Sequence, residues 1–349
     1  ATSGTSWGPK ISDLPNDATY GGNTDNKYTQ QYGKQQGKYY VPQRASAGLD
    51  PWVTPQAYDN AIEFFDTGIT WSNSLNVAQM LEKSSYSISL GNTHQDGIIS
   101  STGMDRYNVK VSADTKLTNN WSSGFTANYI TTSIVKAVTS GNGLLRTVYA
   151  APPSYDLAGI PSHVDGNQYT QNSFRGSFDN AYWAMDNNKF TEDTNRFFGN
   201  VYASYQTDFG TTNHKLNAKY MVGVDAYTTH YVDSYGYGSN TGGGRGQSEN
   251  YGWTTATYNS LLSSNYDWHI NEDWGLNAVL GNEIIQSNRK KNFEYGTNYN
   301  FPGWNHINNA STQQTEEETW KNRTVGFFGN VSASYKNMLY LTLTGRQDY

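Results

Sequence analysis

Long stretches of this chain alternate apolar and polar residues one for one. Tyr107, Val109, Val111, Ala113, Thr115 and Leu117 interleave with Asn108, Lys110, Ser112, Asp114 and Lys116. Leu216, Ala218, Tyr220, Val222, Val224 and Ala226 are set in the same way against Lys215, Asn217, Lys219, Met221, Gly223 and Asp225, and residues 197–206 repeat the division. Successive side chains of a strand point to opposite faces, so a period of two gives each segment one apolar and one wet face. Almost every charge in these segments falls on the wet face. With no apolar run long enough for a spanning helix, the pattern predicts an all-β chain forming the wall of a transmembrane antiparallel β-barrel.

The alternation predicts strands at 69–78, 84–94, 105–117, 121–135, 196–208, 214–230, 252–270, 274–288, 322–336 and 338–349. Short turns are expected at Gln79–Lys83, Thr118–Asn120, Phe209–Asn213, Asn271–Asp273 and Asn337, and long loops at Gln95–Met104, Lys136–Asn195, Tyr231–Tyr251 and Arg289–Lys321. Short and long connections take turns along the chain. That is the arrangement of an outer-membrane barrel, with periplasmic turns at one rim and extracellular loops at the other; a β-sandwich would scatter loop lengths over both ends. Trp121 and Trp274 open strands just after short turns, and Phe209, Trp268 and Tyr335 sit at turn edges, which suits an interfacial aromatic girdle. Residues 1–66 have no sustained period and many turn formers, apart from helical spacing over Pro55–Phe65. They are expected to form an extracellular loop region preceding the first complete strand, with 67–349 as a partial transmembrane barrel.

Composition sharpens this picture. The 349 residues include 28 Tyr, 10 Trp and 34 Gly, and only 15% are charged, against about 25% in an ordinary soluble domain. A mean hydropathy of −0.75 excludes a helical membrane protein but not a barrel, which is apolar only at alternate positions. The absence of cysteine excludes a disulfide scaffold and thiolate metal sites. A net charge of −6 gives no support for a nucleic-acid partner. The chain opens at Ala1 without an initiator Met and stops inside an alternating run, so it is expected to be a piece of a longer mature protein.

Particular stretches carry more than periodicity. The run from Arg323 to Tyr349, with Gly326-Phe-Phe-Gly-Asn-Val-Ser-Ala-Ser-Tyr335 at its centre, resembles a signature of SusC-like TonB-dependent outer-membrane transporters. In the same order along the chain, Ser6–Pro9, Phe64–Asn73, Ser87–Asn92, Gly97-Ile98, Thr102-Gly103 and Asp179–Phe197 are similar to that family. Ala181 departs from it, since the family usually has Pro before the Tyr-Trp pair formed here by Tyr182 and Trp183; losing that ring should loosen the loop there. The resemblance implies a barrel of about 22 strands occluded by a plug, of which this chain holds about ten. It also implies a SusD-like surface lipoprotein as an extracellular lid, and import driven by the TonB complex acting on a plug that this chain does not contain. The implied cargo is an oligomeric nutrient, glycan or peptide.

No constellation of catalytic residues emerges, and no enzyme activity, cofactor or metal is expected. His94, His163, His214, His230, His269 and His306 show no metal-ligand spacing. The glycine-rich run Gly242–Gly246 lacks a Walker lysine and a following helix, and reads as a loop tip. Acids at Glu316–Glu318, or at Asp13, Asp17 and Asp25, do not match an EF-hand and are read as solvated. Asp114, Asp225, Asp267, Glu283 and Asp348 share the wet face with Lys110, Lys116, Lys215, Lys219 and Arg346, and ion pairing across strands is the expected use. Binding is expected of loop aromatics, namely Tyr155, Tyr182, Trp183, Tyr235, Tyr237, Trp253 and Trp304. Flanked by Asn, Gln and Ser, such rings offer stacking and hydrogen bonds to sugars or peptides; loops packing on one another or on a lid would need the same rings. A secreted β-rich glycan-binding or adhesion module and a plain porin stand as alternatives to the importer.

Overall fold

The computed structural model describes residues 8–138, 143–211 and 213–349. The amino-terminal region holds α1 (Lys27–Tyr32), β1 (Tyr39–Tyr40), α2 (Pro42–Ser46), β2 (Trp52–Val53) and α3 (Asn60–Phe64). Four long strands follow: β3 (Thr70–Met80), β4 (Ser84–Asp96), β5 (Gly103–Lys116) and β6 (Trp121–Val135). The next connection contains α4 (Leu144–Ala150), β7 (His163–Val164), β8 (Asn167–Gln171) and α5 (Ala181–Asn187). Six more long strands complete the chain: β9 (Lys189–Thr207), β10 (His214–Tyr235), β11 (Gln247–His269), β12 (Trp274–Tyr299), β13 (Ala310–Tyr335) and β14 (Leu339–Asp348).

The ten long strands form one antiparallel sheet in the order β3-β4-β5-β6-β9-β10-β11-β12-β13-β14, so every pairing joins consecutive wall strands. All ten predicted strands are present, and the register carries the alternation across the sheet. Leu75, Leu90, Val109, Tyr129, Phe197 and Ala226 lie in one cross-strand row, and Phe125, Val201, Val222, Ser260, Ile284 and Val325 in another. This face is open: Val222 is 42% and Leu341 63% exposed. Among the described residues the only other sheets are the two-stranded pairs β1-β2 and β7-β8.

Trp121 stacks obliquely on Tyr205 at 5.0 Å and Trp274 on Tyr335 at 4.7 Å, all four on the apolar face beside short turns. The β13–β14 turn is tight because Lys336 and Asn337 both adopt positive φ, 52° and 55°, and the Met338 amide donates to the Tyr335 carbonyl at 3.0 Å.

The strands reach further toward the long-loop rim than the alternation indicates. The observed long connections are 97–102, 136–188, 236–246 and 300–309; the short ones are 81–83, 117–120, 208–213, 270–273 and 336–338. The expected contrast in length therefore fails in one place, because 97–102 and 208–213 are equal. Beyond the apolar belt both faces of a strand meet water, and a run such as Thr312–Thr319 keeps its pairing without alternating.

The buried core lies outside the sheet, in a cap on the long-loop side. Tyr39, Val41, Phe64, Leu144, Val148, Tyr155, Leu157, Ile160, Ala181 and Trp183 form one cluster drawn from residues 39–64 and 136–188, joined by Ile99 from the β4–β5 connection. Polar side chains fasten the two segments. Asn60 Oδ1 accepts from the Leu157 amide at 3.1 Å, the Tyr39 hydroxyl donates to the Ser154 carbonyl at 2.5 Å, and Asn172 Nδ2 donates to the Gln43 carbonyl at 2.8 Å.

Candidate functional site

The cap is organised around α5. Asn180 caps it, its Oδ1 accepting from the amides of Tyr182 at 3.0 Å and Trp183 at 3.2 Å. An N-cap of this kind stabilises a helix start by about 1 kcal/mol. Ala181, fully buried, is the first helical residue, the position at which Pro is best tolerated. The loosening expected from the missing Pro is offset by this cap. The preceding residue, Asp179, is only 6% exposed and gathers four donors. Its Oδ1 accepts from Gln171 Nε2 at 2.7 Å and from the Asn240 amide and Nδ2 at 2.8 and 2.9 Å, while Oδ2 accepts from Ser239 Oγ. One carboxylate thus joins the β6–β9 connection to the β10–β11 loop.

A cleft of about 550 Å³ opens where three long connections meet. His163, Gln168, Tyr169, Trp183, Asp186 and Asn187 come from the first, Tyr237 from the second, and Gly303 and Asn305 from the third. Asn305 Nδ2 donates to the Asn187 carbonyl at 2.8 Å and anchors the third loop. Gly238, at φ 100°, abuts the cleft; a Cβ there would lie 2.1 Å from the Tyr169 carbonyl, so only glycine fits. The lining is amide, hydroxyl and aromatic, with Asp186 as its one carboxylate.

A second aromatic surface lies on the polar face of the sheet, near the long-loop rim. Tyr231 and Tyr251 stack at 4.7 Å, and Trp253 meets both edge-on at 5.7 and 5.8 Å. Lys136 Nζ sits 4.7 Å from the Tyr231 ring centroid, and the Arg289 guanidinium lies between Trp253 and Trp320 at 5.3 and 5.7 Å. Rings and cations in this arrangement can stack on planar or apolar groups and hydrogen-bond to acceptors.

The seven predicted binding aromatics are not brought together. Trp183 is 1% exposed, its Nε1 donating to the Gln168 carbonyl at 2.8 Å, so it forms the floor of the cleft and part of the cap core. Tyr155 is buried against Phe174 at 5.0 Å, and burial raises its phenol pKa well above the ordinary value. Tyr182 is half-buried against Phe64 at 5.3 Å; burial, and then Glu63, push its pKa up. Tyr235 meets Phe190 edge-on at 5.2 Å. Tyr237 lines the cleft and Trp253 belongs to the polar-face surface. Trp304 is 45% exposed in the last long loop, stacked on Phe301 and His306 at 5.9 and 5.2 Å. Asp179, Arg289 and Trp320 were not singled out from sequence. For Asp179, its place directly before an Asn helix cap was the available signal.

The wet-face charges pair in part as expected. Arg196 binds Asp225 through two hydrogen bonds of 2.8 and 2.6 Å, and Arg346 reaches Glu283 at 3.0 Å and Asp348 at 2.9 Å. Asp114 instead accepts from the Tyr202 hydroxyl at 2.6 Å, and Asp267 accepts from Asn277 at 2.6 Å and Asn265 at 3.0 Å. Elsewhere, Glu317 and Glu318 pair with Lys290 and Lys291, and Asp25 with Lys34.

No protein-family model matches the chain, and no curated protein matches it. Solved structures do. The RagAB peptide importer in its closed-closed state is similar with a TM-score of 0.68 at 15% identity. A further structure of the RagAB peptide transporter gives 0.69 at 14%, and the open-open state 0.68 at 14%. Each match covers 84% of this chain and 33% of the other. The chain shares the fold of that region and spans about a third of the matched proteins' length.

Proposed function

We propose that the chain is part of the wall and extracellular cap of an outer-membrane, TonB-dependent importer of an oligomeric nutrient, glycan or peptide, working beneath a SusD-like lipoprotein lid. The observation that carries this reading is the open apolar face, continuous across ten antiparallel strands and edged by aromatic rings at the short-turn rim. Water would not leave such a face uncovered on a folded monomer, whereas lipid tails cover it without directional contacts. The likeness to part of the RagAB importer agrees with it. Cargo would meet the loop cleft at Tyr237 and the ring surface at Trp253, both on the long-loop side.

The test is fractionation of cells expressing the full-length protein, followed by uptake. The reading expects recovery in the outer-membrane fraction, and nutrient-dependent growth that is lost on deletion and restored by the wild-type chain. Recovery as a detergent-free soluble monomer would support a secreted binding module. Membrane insertion with uptake that is independent of the proton-motive force would support a porin.

A further inference from the structure

Three cations stand where the apolar face gives way to polar residues on the long-loop side. Strand register puts Ile284 and Val325 opposite each other on the apolar face. Counting on by twos along the same face gives Gln286, Asn288 and Lys290 on β12, and Arg323, Lys321 and Thr319 on β13. Lys290, Lys321 and Arg323 therefore point the same way as the belt, directly beyond its edge, and all three are exposed.

Their charges are unevenly compensated. Lys290 pairs with Glu317 at 2.9 Å. Arg323 donates only to the neutral Gln286 side chain, its Nε at 3.0 Å. Lys321 has no acidic partner among the described residues. Elsewhere along this rim the same face carries Asp105 and Asp193, with His94 at 2.7 Å from Asp105. Lys189 at the start of β9 also lies on this face, so among the described residues neighbouring cations occur on it only at β12 and β13.

We infer that Lys321 and Arg323, flanked by Lys290, form a docking site for a phosphate-bearing lipid headgroup of the leaflet on the long-loop side. The inference rests on the membrane reading above and adds a specific lipid contact to it. Two arguments carry it. The patch is continuous with the belt, so a lipid whose tails lie on Ile284 and Val325 brings its headgroup to this level. Two uncompensated cations also complement a phosphate, which accepts from both an ammonium and a planar guanidinium fork.

The test uses the full-length protein in nonionic detergent, supplemented with phosphatidylglycerol or with phosphatidylcholine, and counts lipids retained after exchange into lipid-free detergent. The wild type should retain phosphatidylglycerol in preference. Lys321→Gln with Arg323→Gln should lower that retention roughly thirty-fold, at about a factor of five per cation removed. Lys34→Gln, a charge change beside Asp25 in the amino-terminal region, should leave it unchanged, and free inorganic phosphate should not displace the lipid. Equal retention of the two lipids, a double variant that behaves as wild type, or efficient displacement by inorganic phosphate would each overturn the inference while leaving the membrane reading intact. A protein that needs no detergent would overturn both.

Discussion

The Ser239 hydroxyl donates to Oδ2 of Asp179 over 2.6 Å, across 60 positions of sequence. That bond and the three to Oδ1 make Asp179 the fastening between two long loops. Asp179→Ala would strand buried donors on Gln171, Ser239 and Asn240. The expected cost to the cap is at least about 2 kcal/mol. Limited proteolysis should cut 236–246 faster in the variant while the circular dichroism of the sheet is unchanged.

The two faces of β10 should respond oppositely to substitution. Val222→Arg places a charge on the apolar face and should cost about 2–4 kcal/mol and block membrane assembly. Lys219→Ala, on the polar face, removes only a cation held 4.1 Å from the Tyr202 ring centroid, worth under about 1 kcal/mol at an exposed site. Heat-modifiable migration of the membrane fraction on gels separates the two outcomes.

Trp183 and Tyr237 border the same cleft but should differ in kind. Trp183→Ala empties a buried site and should destabilise the cap by about 3–5 kcal/mol, lowering its thermal transition. Tyr237→Ala should leave that transition in place and weaken cargo binding by about 1–2 kcal/mol. Calorimetry of both variants with and without ligand checks the contrast.

High pH should loosen the cap. Burial pushes the Tyr39 phenol up to about 12, from an ordinary value near 10. Between those values the unfolded chain releases a proton that the folded cap retains, so stability is full below about pH 10 and falls as pH rises toward 12. Buried Tyr155, raised for the same reason, acts in the same direction. Tyrosinate absorbance should rise together with protease sensitivity, and Tyr39→Phe should shift the transition upward.

The wall is legible because a period of two survives wherever a strand has one apolar and one polar face. It fades at Thr312–Thr319, where both faces are wet, and the strands run past the limits that alternation marks. The cap helices run for five to seven residues, under two turns, too short to show a period. Only Pro55–Phe65 was anticipated as helical, and it forms α3 over Asn60–Phe64, capped by Asp59 at the Ile62 amide. The site was less legible because ring type does not encode depth. Trp183 and Trp304 look alike in sequence, yet one is sealed in the cap and the other is open to solvent. Which loop meets which depends on contacts such as Asn305 with Asn187, 118 positions apart.

The bond between Asn60 and Leu157 has a kinetic corollary. Eight of the nine strand pairings of the wall zip up through connections of eleven residues or fewer, at little entropic expense. Only β6 with β9 spans a long one, 136–188. The domed lid of helices must wait until distant stretches have been carried together by that zipper, since non-local closure is slow. During biogenesis the sheet would therefore stand bareheaded for an interval, its crown the last part to set.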